Sequence, residues 1–562
     1  MKLLEIKNKS IGLLIALAIF LFLAGCKSDD NGGVMPPVLA VLDLTQSVPE
    51  NQEITTVIAQ FDITQENLTA PLVFELTEIS RSGAVTVNDQ GQLIVADATA
   101  FDFERLETIS GQVQASSDDI VQTASFTLNI TDEVEDAVPF ITRWNLTTGN
   151  LTIQLPLYEG TIEDPTEYDF QVDWGDGSPI DFVTSFDDPD ARHAYSTIGG
   201  TRTVTITGIL EGFSFGENIE SRLQFIDVAQ WGDMRLGNTG RNFFNCTNLI
   251  GFTAEDTPIL KEVTNMSSMF ERAISFNSNI SNWNVSNVSN MLSMFRSAEQ
   301  FNQNLSRWNT GNVTQMESMF QDAASFNRDI SNWDVSNVSN MFLMFRGAEQ
   351  FNQDLSRWNT GNVTQMESMF QDATSFNQDI SNWDVSSVTT MAFMFASASV
   401  FNGNLSTWDV SNVRDMFAMF SNTGVFNQDL SNWDVSNVTF MDQMFNGALV
   451  FNGNLSTWDV SNVTKMDGMF VGASAFTGDI SDWDVSSVSN MSAMFGGAES
   501  FNEDLSSWDV SSVTNMRSMF LDAVSFSQDL SNWATDNVTE CENFANGSAL
   551  TAEQLPTRGP CF

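Results

Sequence analysis

Phe276-Asn277-Ser278-Asn279-Ile280-Ser281-Asn282-Trp283-Asn284-Val285-Ser286-Asn287-Val288-Ser289-Asn290-Met291-Leu292-Ser293-Met294-Phe295 opens a unit that returns every 25 residues through the second half of the chain. Tryptophan steps by 25 from Trp283 to Trp533, taking eleven of the 14 tryptophans, and methionine pairs from Met266 and Met269 to Met516 and Met519 take 22 of 25. A fixed period of this length marks stacked repeats, in which each unit buries its apolar face only against its neighbours. The two halves of the unit differ in spacing. Met291, Met294, Phe295 and Ala298 fall at i, i+3, i+4 and i+7, one face of a helix of about two turns. Ser or Thr stands before that face, where an N-cap belongs, in eleven of twelve units from Thr264 to Thr539, Arg414 being the exception. Thr314 with Glu317 and Thr364 with Glu367 add the capping-box spacing.

Ile280, Trp283, Val285 and Val288 keep the Leu-x-x-Leu-x-Leu spacing of a leucine-rich-repeat strand, which sends Asn282, Asn284 and Ser286 to the outer face. One strand and one helix per coil predict an α/β leucine-rich-repeat-like solenoid over 263–540, a rod or horseshoe of roughly 50 Å at about 4.8 Å per coil. Residues 229–262, with Phe243-Phe244-Asn245-Cys246, read as its N-terminal cap and 541–562 as its C-terminal cap. Cys541 replaces the methionine of the last coil, and a bridge to Cys561 is expected in an oxidising compartment. The pairing of Cys246 is not assigned. Asn277 and its equivalents, kept in nine of eleven coils, read as a ladder bonding to turn backbone.

The 562 residues include 23 basic and 72 acidic side chains, a net charge of −49. Such a surface lacks the cations that neutralise phosphates, so no nucleic acid is expected as partner. His193 is the one histidine and there are four cysteines, which leaves little for zinc or Ser-His-Asp chemistry. A carboxylate pair of the glycosidase kind survives this count.

The amino terminus reads as an address. Lys2, Lys7 and Lys9 precede an apolar run from Ile11 to Leu23, shorter than the roughly 20 residues that span a bilayer, so 1–25 is expected to be a secretory signal. Leu23-Ala24-Gly25-Cys26 resembles the bacterial lipobox, which implies lipidation of Cys26 as the first mature residue. The stretch 26–37, with Lys27-Ser28-Asp29-Asp30-Asn31-Gly32-Gly33, resembles the flexible tether of Bacteroidetes-type lipoproteins, implying display at the cell surface on the outer membrane.

Two β-sandwich modules are expected between tether and repeats. Alternating runs at 72–76, 92–95 and 125–130, separated by turns at Ser82-Gly83 and Asp89-Gln90-Gly91, indicate the first, 38–136. Pro49-Glu50-Asn51, Phe101-Asp102-Phe103-Glu104 and Asp132-Glu133-Val134-Glu135-Asp136 fall in the order of a cadherin repeat, which the segment resembles. The resemblance implies that Glu50, Asp102, Glu104, Asp132 and Glu135 gather calcium, a hard cation taking six to eight oxygens. Asp62 lacks the family's acidic partner two residues on, and the closing cluster departs from Asp-x-Asn-Asp-Asn. The second module, 137–228, is signalled by strand patterns at 151–155, 168–174 and 203–206. Its Val172-Asp173-Trp174-Gly175-Asp176-Gly177 and His193-Ala194-Tyr195 resemble the PKD type of extracellular module, which makes His193 a strand-edge hydrogen bonder and not a catalyst.

Lipobox, PKD-like module and 25-residue repeat together resemble the BspA-like leucine-rich-repeat surface lipoproteins, whose unit is also known from mycoplasma lipoproteins. That resemblance implies a lipid-anchored protein that adheres to an extracellular ligand, a host, matrix or neighbouring-cell protein, with no catalytic residues. The alternative is a glycan-binding or glycan-processing lipoprotein. Asn284, Asp334, Asp384, Asp409, Asp434, Asp459, Asp484 and Asp509 form a column on the expected outer strand face. They read either as solvated charge that keeps sheets apart or as an acidic ligand-binding stripe. The tryptophan column reads as core, against an outward platform for sugars. Asn287-Val288-Ser289 and its copies mimic glycosylation sequons but are read as structural. Residues 301–322 and 351–372 are nearly identical, a recent duplication that suits an extended binding surface better than one active site.

Overall fold

The computed structural model describes residues 36–102, 106–131, 137–146, 151–162, 164–197, 199–216 and 220–562. The chain divides into two compact units, 1–132 and 133–562. The first holds β1 (Val38–Val41), β2 (Leu44–Pro49), β3 (Val57–Gln60), β4 (Ile63–Glu66), β5 (Val73–Ile79), β6 (Val85–Val87), β7 (Gln92–Val95), β8 (Thr108–Ser117) and β9 (Ile120–Thr131). They form a four-stranded sheet β2-β9-β8-β5, a three-stranded sheet β3-β7-β6 and the pair β1-β4. β2 runs parallel to β9, setting Val48 opposite Ile130. Alternation along β9 turns Ala124, Phe126, Leu128 and Ile130 into a core shared with Phe61, Leu93 and Val113. At the β8–β9 turn Asp118 takes a left-handed φ of 50°. Its carboxylate accepts the Thr69 amide at 2.9 Å and hydroxyl at 2.7 Å, bonds that hold its pKa below the usual value.

The second unit begins with β10 (Phe140–Asn145), β11 (Thr152–Gln154), β12 (Tyr168–Asp173), β13 (Asp181–Val183), β14 (Arg192–Ala194), β15 (Thr201–Leu210) and β16 (Phe225–Gln230). A five-stranded sheet β13-β12-β15-β10-β16 faces the pair β11-β14 across a core of Trp144, Ile153, Val172 and Trp174. The turn after β12 needs glycine: Gly175 has φ 70°, and a Cβ there would lie 2.2 Å from the Thr203 carbonyl oxygen. His193 supports this turn, with Nε2 2.9 Å from Asp176 and its ring stacked on Trp174 at 5.1 Å.

This sandwich does not end at residue 228. Phe225 stacks on Phe243 at 5.6 Å, Phe243 on Phe270 at 5.5 Å, and Trp231 meets Trp283 edge-on at 5.7 Å. One aromatic core therefore runs from the sandwich through 229–262 into the repeats.

The repeats stack as coils, but not as an α/β solenoid. In place of the helix expected over 291–298 there are linked i→i+3 turns: Met294 N to Met291 O at 3.2 Å, Arg296 N to Ser293 O at 3.1 Å, Ala298 N to Phe295 O at 3.0 Å. The intervening amides leave the coil, Met291 N to Gln315 O at 2.9 Å, Ser293 N to Glu317 O at 2.8 Å, Phe295 N to Met319 O at 2.9 Å and Ser297 N to Gln321 O at 2.7 Å. Ser293 and Ser297 take φ of 54° to permit it. A two-turn helix is marginal by itself and would close its amides internally. Tying alternate amides to the next coil buries the same Met, Met, Phe and Ala side chains while joining neighbours. The expected N-caps have another task as well: Thr314 Oγ1 donates to Ser289 O, one coil back, at 3.3 Å. Glu317, expected in a capping box, bonds Asn340 Nδ2.

The strand half is corrected too. Ile280, Trp283, Val285 and Val288 are buried as their spacing requires, and Asn282 is exposed. Yet the chain bends at Asn279 and again at Asn284, and coils pair through single parallel bridges such as Asn290 with Gln315. Five residues between bends leave no room for an extended strand. The core is instead a set of ladders. Phe295, Phe320 and Phe345 stack at 5.6 and 5.7 Å, Phe301, Phe326 and Phe351 at 6.1 and 5.9 Å, and Trp433, Trp458 and Trp483 at 6.3 Å. At the last coil Cys541 and Cys561 form a disulfide with Cα atoms 6.0 Å apart, and Phe562 meets Phe544 edge-on. Cys246 is a buried thiol.

Candidate functional site

The outward acidic column is built by turns. Asn284, Asp334, Asp384, Asp409, Asp434, Asp459, Asp484 and Asp509 each accept the amide of the serine two residues on, at 3.0–3.2 Å. Such an Asx turn bends the chain outside the core. The serine hydroxyl and amide together hold Asp334, Asp384, Asp434 and Asp509 below the ordinary carboxylate pKa. These side chains therefore have a local structural task, besides presenting charge.

A second column does the same work five residues earlier and escaped the sequence reading. Asn279, Asn304, Asp329, Asp354, Asp379, Asn404 and the equivalents through Asp529 all accept from the serine two residues on, at 2.9–3.1 Å. The signal was present, because Asp-x-Ser occurs twice in most units, but only the copy next to tryptophan was singled out.

Other recurring polar groups bond from coil to coil. Asn277 Oδ1 accepts the Asn302 amide at 3.0 Å, Asn302 that of Asn327 at 3.1 Å, and so on to Asn427 with Asn452 at 2.8 Å. Each indole from Trp308 to Trp533 donates to a carbonyl 28 residues back, as Trp408 Nε1 does to Ile380 O at 3.1 Å. The eleven indoles are 1–5% exposed, too enclosed to stack on a sugar. The sequon asparagines are also engaged: Asn312 Nδ2 donates to Ser286 O at 2.7 Å and Asn437 Nδ2 to Ser411 O at 2.8 Å.

Of the expected calcium ligands, Glu104, Asp132 and Glu135 lie outside the described residues, as do Cys26, the signal segment and most of the tether. Glu50 is 1% exposed, and its neighbour Asn51 bonds Phe101 O at 2.8 Å, which brings Glu50 and Asp102 to one edge of the sandwich. Two carboxylates of the hard-oxygen type suit calcium but supply only part of its shell. Among the described residues no three His, Cys, Asp or Glu side chains gather as a metal site.

Fold and surface together define a stacked-coil repeat protein carrying β-sandwiches. The chain belongs to the family described as "Mycoplasma protein of unknown function, DUF285", whose profile matches residues 238–358, 339–458 and 440–557, more than half of the chain. No curated protein matches. Among solved structures the chain is similar to the protocadherin gamma B4 extracellular domain, at 20% identity over 30% of this chain and 29% of that one, TM-score 0.17. It is also similar to protocadherin gamma B2 cadherin domains 3–6, at 18% identity over 30% and 43%, TM-score 0.17, and to human protocadherin-24 EC1-2, at 14% over 33% and 81%, TM-score 0.15. The chain thus spans less than half the length of the first two.

Proposed function

We propose that this chain is a BspA-like surface lipoprotein, anchored through Cys26 to the outer membrane, that binds an extracellular protein through its coil array and is not an enzyme. The observation that supports this best is the division of labour within each coil. The recurring side chains serve the aromatic core and the hydrogen-bonded ladders, so the positions that vary, such as 282, 290 and 292 and their equivalents, lie on a long regular surface where a ligand is met. Repeat arrays commonly bind through such extended surfaces. The cadherin-like reading of the first sandwich adds calcium, held by Glu50 and Asp102 with Glu104, Asp132 and Glu135. There the ion would stiffen the segment around 132–136.

Binding of the purified protein to an array of matrix proteins and glycans tests the reading. Retention of matrix or cell-surface proteins is expected; turnover of a saccharide that disappears with one carboxylate pair would replace it with the glycan-processing alternative. Cys26→Ser should release the protein from membranes and abolish lipid labelling.

A further inference from the structure

Most positions in a coil are fixed by the ladders, so departures from the repeat stand out. At the position of Ser293, where Ser318, Ser368 and Ser518 also stand, residue 393 is phenylalanine. Its φ is 57°, a left-handed conformation that costs a bulky side chain energy, yet its ring is only half-buried. Phe393 N bonds Phe417 O at 2.8 Å, and the two rings meet edge-on at 4.7 Å. Phe417 N in turn bonds Asp415 Oδ1 at 2.9 Å. Asp415, Phe440 and Lys465 are successive bridge residues of adjoining coils, and Phe440 is 38% exposed. Core formation explains none of these three phenylalanines.

Carboxylates flank them. Burial pushes Asp442 up to about 6 and Asp467 in the same direction, each partly offset by the charge of Lys465. Asp442 Oδ1 is buried without a hydrogen-bond partner. Lys465 Nζ sits 5.7 Å from the centroid of the Phe440 ring, so a cation already rests against an aromatic face beside these acids.

Resting on the reading of the array as a binding surface, we propose that Phe393, Phe417 and Phe440 with Asp415, Asp442 and Asp467 form a docking face for a lysine- or arginine-bearing peptide segment of a partner protein. Charge complementarity selects this occupant. A neutral ligand covering the face would desolvate the carboxylates without compensation, whereas an ammonium or guanidinium pairs with them and stacks on the rings. Lys465 occupies one such place from within the chain.

The test uses the full chain and a fluorescent decalysine peptide, with a neutral β-glucan oligosaccharide as comparison, read by anisotropy at physiological salt. Asp415→Asn/Asp442→Asn/Asp467→Asn should weaken decalysine binding at least tenfold. Glu299→Gln/Glu349→Gln/Glu499→Gln removes the same charge from exposed positions elsewhere on the coils and should change it less than threefold. Phe440→Ser should weaken binding about tenfold with an unchanged thermal midpoint. Lys465→Met, by vacating the place it holds, should strengthen binding at least threefold. Equal losses in the two triple variants, a weaker Lys465→Met, or Phe440-dependent binding of the glucan in place of the peptide would each overturn the docking face. Any of these leaves the wider reading standing if matrix-protein binding persists in the Asp triple variant; loss of all protein binding by the wild type would remove that reading itself.

Discussion

In the sandwich of residues 36–131 an inward side chain meets partners unlike itself: Phe126 touches Phe61 edge-on at 6.4 Å, and Val48 pairs with Ile130 across strands 82 residues apart. In the array Phe320 lies between its own equivalents, Phe295 and Phe345, at 5.6 and 5.7 Å with rings within 6° of parallel. The sandwich is specified by complementary shapes from distant sequence, the array by register alone. A substitution in the sandwich disturbs one locality, whereas one in the array is felt by the coils on both sides, because stability there is a sum of coil and nearest-neighbour terms.

The largest expected effect on that contrast comes from Trp408→Ala. Loss of the buried indole should cost ~3 to 5 kcal/mol, and it also strips Ile380 O of its donor. Urea unfolding should show the array transition moving while that of the first sandwich stays. Acrylamide quenching of the array tryptophans in the folded state would break the comparison, since it requires indoles that solvent reaches. Next, Cys541→Ser opens a loop of 20 residues and should cost the array about 3 kcal/mol. The measure is the shift of the array midpoint against the same protein under reductant; a shift in the first sandwich instead would mean the two regions do not unfold independently. Asn377→Ala removes the acceptor of the Asn402 amide and should cost about 1 kcal/mol, and a second removal further along the ladder should add to it. Strong non-additivity between adjacent coils would sharpen the nearest-neighbour picture into a longer-range one.

The smallest effects are in pH. Asp384, Asp434 and Asp509 have folded pKa values below 3.8, set by the serine hydroxyl and amide they accept from. Unfolding raises their proton affinity, so their contribution is complete above about 3.8 and is lost as pH falls through the folded values. Asp442, raised to about 6 by burial, has the opposite sign: the array loses stability as pH rises from 3.8 towards 6. Asp442→Asn should flatten stability over that window, checked by thermal midpoints between pH 4 and 7.

How much of this was written in the sequence depends on the element. The 25-residue period gave the stacking, and apolar spacing placed Ile280, Trp283, Val285, Met291 and Phe295 inside. Spacing did not give the backbone between them. Positions i, i+3, i+4 and i+7 suit a helix, but a chain of i→i+3 turns with left-handed residues at Ser293 and Ser297 buries the same set, and only the neighbouring coil supplies the acceptors that favour it. That is tertiary context overriding local pattern. Likewise Asp334 was read as outward, as it is, while its bond to Ser336 shows the turn that a strand reading hides. Phe393 and Phe440 went unremarked because attention to the consensus masks what departs from it.

The fastening of the two array ends bears on mechanics. A stack held by nearest-neighbour bonds under load should fail by peeling from an end, where a coil has one neighbour instead of two. Here the first coils share an aromatic core with the sandwich through Phe243 and Trp231, and the last is cross-linked between Cys541 and Cys561. Neither end is an easy starting point for fraying. Rupture must instead begin between interior coils, where several parallel bonds and three aromatic columns give way together, so resistance to pulling should rest on the weakest interior joint and not on the number of coils.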